Sequence, residues 1–351
     1  APRVGMVNRI INGDMRVSQR NAGASVTPTG TLYTVDRWQA TVSTGSKFSV
    51  QQNAGSVTPP AGFSKYLGCT SLSAYTVGSG DYFMMRQAVE GFNTSDLAWG
   101  TASASPITIS FWVRSSLTGT FGGALENNAS NRSYAFSYTV SVANTWEKKT
   151  VTIVGDTTGT WETGNSLGVY LAFGLGVGST YSGTAGAWGS TRYFSVTGAT
   201  SVVGTSGATW YVTGVQLEKG STATAFDYRP YSTELQLAQR YCWVVAGNGL
   251  YYPRQHLDGI SSTTGIWYVQ YPVVFRALPS FSTKNISSST IEMSNHTNGV
   301  APILSSVTFG ESAFQSGFVN MNAGSGFTAG GTGHWRWIVG PDANFTFSAE
   351  L

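Results

Sequence analysis

Along most of the chain, apolar and polar positions alternate with a period of two, the spacing of a strand with one buried face. In "ITISFWVRS" Ile107, Ile109, Phe111 and Val113 share one face, and Thr108, Ser110, Trp112 and Arg114 the other. "YAFSYTVSV" groups Tyr134, Phe136, Tyr138, Val140 and Val142; "LGVYLAFGL" groups Leu167, Val169, Leu171 and Phe173. Later, "GIWYVQYPVVF" sets Trp267, Val269, Tyr271, Val273 and Phe275 together, and Phe345, Phe347, Ala349 and Leu351 alternate to the last residue. Strands with one apolar and one polar face, separated by Gly- and Asn-rich turns, predict antiparallel sheets packed face to face. A Gly- and Ser-rich stretch over 178–207 also carries Trp188, Tyr193 and Phe194, so it reads as a long ordered loop with a short strand.

One segment breaks the pattern. From Thr233 to about Trp243 the spacing is helical, with Thr233 and Gln236 matching a capping box and Leu235, Ala238 and Cys242 forming an apolar stripe. The stripe either packs on its own sandwich or meets the same stripe of a neighbouring copy. Strand patterns lie on both sides, so the helix marks a boundary between β-domains of about 1–230 and 231–351.

Composition narrows the function. Charged residues are 11% of 351 and the net charge is only +3, without a basic run, which gives nucleic acid or an anionic membrane no electrostatic footprint. No apolar stretch approaches the roughly 20 residues of a membrane span, and the first residues lack the apolar core of a signal peptide. Two cysteines, Cys69 and Cys242, are too few for a disulfide scaffold and read as buried thiols.

Catalytic patterns find little support. "GNSLG" at 164–168 matches a nucleophile elbow only formally, because a turn precedes it and a strand follows. "GLGVGS" lacks the Lys-Ser/Thr of a phosphate loop, and three scattered histidines lack metal-ligand spacing. Glu90, Glu126, Glu147, Asp156, Glu162 and Asp227 could in principle supply a carboxylate pair for glycoside cleavage; salt bridges and turn caps are the simpler use. The expectation is a protein that is not an enzyme and needs no cofactor.

Aromatic residues give the better binding signal. Trp161 and Trp188 fall in turns or loops, and Trp335 and Trp337 flank Arg336. An exposed ring can stack on the apolar face of a sugar whose hydroxyls bond neighbouring polar groups, which makes Trp161, Trp188, Trp335, Arg336 and Trp337 the candidate glycan contacts. The competing reading is that each tryptophan closes a core or fills an interface.

Several blocks occurring in order carry a family resemblance: "NRIINGDMRVSQR", "YTVDRW", "RQAVEGFNTSDLAWGTASASPITISFWVRSS", "NTWEKKTVTIVGDTTGTW", "YSGTAGAWGS" and "WYVTGVQLEKGSTATAFDYRPYSTELQLAQRYC". Over roughly 8–243 the chain resembles phage virion and tail-fibre proteins with a jelly-roll domain similar to carbohydrate-binding modules. The resemblance implies an all-β fold: a jelly-roll β-sandwich, a short linking helix and a second, smaller β-sandwich. The expected divisions are 1–25 as an N-terminal attachment segment with the first strand, 26–230 as the jelly roll, 231–245 as the linking helix and 246–351 as the distal domain. It further implies a virion component, a homotrimer in contact with other virion proteins and host cell-surface polysaccharide. The alternatives are a capsid-decorating or adaptor protein without receptor binding, and a polysaccharide-degrading tailspike. Some sugar-binding jelly rolls hold calcium near the first strand; Asp14 is the one candidate ligand here, and Met15 and Arg16 beside it argue against a metal.

Overall fold

The computed structural model describes residues 6–246, 255–296, 299, 301–337 and 343–351. It divides into two compact units, Ala1–Leu235 together with Leu351, and Gln236–Glu350.

The first unit is a jelly-roll sandwich. One sheet has seven strands in the order Leu32–Tyr33, Trp38–Val42, Tyr82–Glu90, Leu167–Val177, Gly119–Asn127, Ser133–Val140 and Trp188–Gly189. The other has five, in the order Phe48–Gln52, Leu67–Ser71, Thr209–Lys219, Ile107–Ser115 and Glu147–Ile153. The chain passes repeatedly from one sheet to the other, so most pairings join strands that are not consecutive in sequence, as in jelly rolls. The predicted alternation sets the inner faces: Ile107, Ile109, Phe111 and Val113 are fully buried, while Trp112 and Arg114 on the other face are half-buried. Phe111 and Trp210 from the smaller sheet meet Phe173 from the larger at ring-centroid distances of 5.0 and 5.5 Å. The indole Nε1 of Trp210 donates to the Tyr138 hydroxyl at 2.9 Å, which joins the two sheets inside the core. Val142 is exposed because its strand ends at Val140. Both cysteines are buried and neither is disulfide-bonded.

Of the expected N-terminal segment 1–25, the first strand is not found among the described residues. The segment's first five residues lie outside the described ones, as do 247–254 and 338–342. From Asn8 to Val17 the chain is built into the first unit, and residues 6–25 contain no strand. The Asn8 side chain donates to the Val215 carbonyl at 3.0 Å and accepts from the Leu217 amide at 3.1 Å. The Val215 amide donates to the Gly13 carbonyl at 2.9 Å. These bonds satisfy backbone groups beside a register shift in the strand Thr209–Lys219, so the segment completes the sandwich.

The second unit packs a six-stranded sheet against a smaller one. The order is Ile291–Asn295, Thr332–Trp337, Gln255–Gly259, Thr264–Gln270, Ser316–Ala323 and Leu304–Ser312, facing Cys242–Ala246, Asn344–Ser348 and Ser280–Lys284. Trp267, Val319, Met321 and Trp335 of the larger sheet share one core with Phe345 and Phe347 of the smaller.

The helix is Tyr231–Gln239, earlier and shorter than its spacing predicts. The amide of Glu234 donates to the Pro230 carbonyl at 3.0 Å, so the first turn starts behind Pro230 and Thr233 is not its cap. Pro230 itself precedes the helix, where its missing N–H leaves no helical bond unmade. Cys242 is no part of a helical stripe: it is a strand residue opposite Ser348. Ala238 is buried, Leu235 half-buried, and the most buried residue of the first turn is Glu234. Its carboxylate accepts from the Asn12 amide and pairs with Arg229 at 3.1 Å.

Candidate functional site

The tryptophans singled out by the sequence fall into two clusters, one in each unit. In the first unit Trp161 and Trp188 meet Trp99, a residue the sequence gave no reason to choose. The three rings lie edge to face at 4.7, 5.3 and 5.3 Å. Every indole N–H is bonded to a carbonyl: Trp99 to Ser105 at 2.8 Å, Trp161 to Thr158 at 3.2 Å and Trp188 to Val154 at 2.7 Å. Trp161 and Trp188 are half-buried against the core, so this cluster closes one end of the sandwich.

The second cluster corrects the premise that Trp335 and Trp337 are exposed. They are 1% and 4% exposed, and face inward because residues two apart share a face of the strand Thr332–Trp337. Arg336 points the other way and binds Glu292, its cross-strand partner, at 2.7 Å. All three nevertheless line one cavity. Trp267 stands edge-on to Trp335 at 4.8 Å, and Trp337 to Trp335 at 5.4 Å.

A cavity of about 350 Å³ is lined by these inward rings with Trp243, Val245, Gln255 and Val269, and by Tyr268, Gln270 and Arg336 from the other face of their strands. Its size is at the small end of ligand sites, roughly 300–1,000 Å³, and its make-up is theirs: aromatic walls with a few polar groups. Gln255 sits directly across the strand pair from Trp335. The Trp335 indole Nε1 is buried and has no hydrogen-bond partner among the described residues. A buried donor left unbonded costs on the order of 1–3 kcal/mol, and buried tryptophans otherwise find an acceptor. A ligand oxygen entering the cavity can supply one. Trp243 and Trp267 were missed as lining residues because their alternation reads simply as core.

Four of the candidate acids have basic partners. Glu126 pairs with Arg192, and Asp156 takes a two-point hydrogen bond from Arg132 at 2.7 and 2.7 Å. Glu147 binds Lys149 at 2.6 Å, and Asp227 lies 3.6 Å from Arg229. Two of the scattered histidines do meet: His296 Nε2 is 2.6 Å from His334 Nδ1. Among the described residues no group of three or more His, Cys, Asp or Glu could hold a metal. Asp14 is 4% exposed and ion-paired with Arg16. Burial pushes its carboxyl above the usual range, against the pull of Arg16. With the guanidinium on one carboxylate oxygen, Asp14 does not offer a calcium site.

Two inward-facing sheets per unit, with an aromatic cavity in the second, define a two-unit antiparallel β-sandwich protein. No protein-family model matches the chain, and no curated protein matches its sequence. Solved structures do align with it. A sugar-binding protein from Bacteroides thetaiotaomicron, described as putative, is 11% identical with a TM-score of 0.33, over 60% of this chain and 99% of that one. A family 4 carbohydrate-binding module is 14% identical with a TM-score of 0.29, over 59% and 97%. The enzymatically active domain of tailspike protein 4 from bacteriophage CBA120 is 11% identical with a TM-score of 0.31, over 61% of this chain; the match spans about a fifth of that protein, 21%.

Proposed function

We propose that this protein is a non-catalytic glycan-binding component of a phage particle, a fibre or spike that contacts host-surface polysaccharide through the tryptophan cavity of its second unit. The observation that carries the reading is the Trp335 indole N–H, buried in the wall of an aromatic cavity without a partner among the described residues. Aromatic walls take the C–H face of a sugar, and an unused donor takes one of its oxygens. The virion setting is supported by the ordered blocks over roughly 8–243, from "NRIINGDMRVSQR" to "LQLAQRYC". The acids named as possible catalysts are engaged by arginine and lysine where their partners are described, which supports binding without cleavage.

A homotrimer is part of the proposal. The outer face of the second unit's large sheet exposes Tyr268 at 61%, close to Phe318, and Ile303 is 72% exposed. Such apolar side chains suit an interface between copies. Display in three copies would raise the avidity of weak sugar contacts through effective concentration.

The test is adsorption competition. Purified protein added to host cells should reduce phage attachment with dose, and Trp335→Phe should compete less well. Unchanged attachment in the presence of folded protein would remove receptor binding and leave the adaptor reading. Release of new reducing ends from host polysaccharide would instead establish cleavage.

A further inference from the structure

The turn Asn12–Gly13–Asp14–Met15 is held in an unusual shape. Asn12 and Met15 have φ of 58° and 60°, in the left-handed region that costs a residue with a side chain energy, Met more than Asn. Gly13 fits only as glycine, since a Cβ there would lie 2.1 Å from the Val215 carbonyl oxygen. Hydrogen bonds fix the turn from both sides: the Asn12 side chain donates to the Val17 and Asp36 carbonyls at 2.8 and 2.9 Å, and Gly13 accepts from Val215. Backbone strain sustained by this many contacts serves to aim something. What it aims is Asp14.

Asp14 lines a cavity of about 310 Å³ with Arg16, Gly62, Phe63, Ser64 and Tyr228. One carboxylate oxygen of Asp14 is paired with Arg16; the other, Oδ1, is buried and accepts no hydrogen bond among the described residues. Facing it are two rings of a three-ring cluster, Phe63 and Tyr228 at 5.5 Å, each braced by Phe226 at 5.2 and 4.8 Å. Phe63 lies on Gly214, where a side chain would meet its ring at 2.6 Å. The Tyr228 hydroxyl donates to the Gly62 carbonyl at 2.8 Å, which fixes that ring while leaving it 53% exposed. Arg16 in turn donates to the Arg229 carbonyl at 2.8 Å. The site thus combines a fixed aromatic platform, an unused buried acceptor and an already neutralised charge.

We propose that this cavity of the first unit is a second, separate sugar site, taking one neutral pyranose ring. The C–H face of the ring packs on Phe63 and Tyr228, and one hydroxyl donates to Asp14 Oδ1. A hydroxyl suits the site better than an ammonium group because Arg16 already balances the carboxylate and would repel a second cation. The assignment stands on the first unit's residues and does not depend on the tryptophan cavity.

The experiment is saturation-transfer NMR on the full chain with Phe and Tyr rings irradiated, and the variants of the first unit separate this site from the tryptophan cavity, which Tyr268 also lines. The probes are the methyl glycosides of glucose, mannose, galactose and rhamnose, with methylammonium as the cation control. At least one glycoside should receive saturation, and Tyr228→Ala should weaken its binding about tenfold, the usual cost of about 1.4 kcal/mol for a lost contact set. Ser64→Trp, which fills the cavity while keeping Asp14 and both rings, should weaken it similarly. The proposal fails if no glycoside binds, if both folded variants bind as the parent does, or if methylammonium binds and the glycosides do not.

Discussion

The two tryptophan clusters contain the same kind of residue in opposite states. In the first unit Trp99, Trp161 and Trp188 each direct an indole N–H to a named carbonyl, and the polar handle is used up in holding the loops against the core. In the second unit Trp335 is more deeply buried than Trp161 or Trp188 and lines a cavity, yet its N–H has no partner among the described residues. The difference teaches that neither burial nor exposure of a tryptophan tells binding from packing. The state of its one donor does.

That contrast can be broken in three ways. The largest effect should come from Trp99→Ala, which removes the indole touching both other rings of the closed cluster. Such truncations cost about 3–5 kcal/mol, and denaturant unfolding followed by Trp fluorescence should show the first transition shifted by that much. A loss below about 1 kcal/mol would mean that the cluster does not close the core.

A smaller effect with a telling sign is expected from Trp335→Phe. It deletes an unbonded donor, so the second unit should hold its stability or gain on the order of 1 kcal/mol, while Trp188→Phe loses about 1 kcal/mol with its bond to Val154. Equal losses in calorimetry for the two variants would erase the distinction between the clusters.

The smallest effect concerns pH. Burial pushes the Asp156 carboxyl up, but the hydrogen bond from Arg132 and those from Thr158 more than offset this, and it titrates below the usual carboxylate range. A group whose folded pKa is lowered stabilises above its unfolded value, about 3.9, and loses that contribution as pH falls toward the folded value. The melting temperature of the first unit should therefore decline below about pH 4, and Asp156→Asn should flatten this part of the decline. An unchanged slope would remove the Arg132 pair from the account.

How much of this was legible in the sequence depended on range. Ile107, Ile109, Phe111 and Val113 announced their shared face because a strand's period is local, and both sandwiches followed from such runs. The same period placed Trp335 and Trp337 together, but could not say which face of their strand was the core, and so it read two inward rings as exposed. Cys242 extended the helical spacing by coincidence; pairing with Ser348, more than a hundred residues on, made it a strand residue. Trp99 joined Trp161 and Trp188, and Phe63 joined Tyr228, only through folding of distant segments. Asp14 and Arg16 were visible as neighbours, while the unused oxygen was visible only once the cavity walls were in place.

The two buried thiols have a practical consequence. Cys69 lies in the core of the first unit, where burial pushes its thiol far up, and Cys242 lies in a paired strand of the second. A thiolate is the species that alkylating reagents attack, so each cysteine reacts only when its own sandwich opens. Each half of the molecule thereby carries a built-in clock, and the time course of labelling at the two positions would time the openings of the two sandwiches separately, in one sample and without any introduced cysteine.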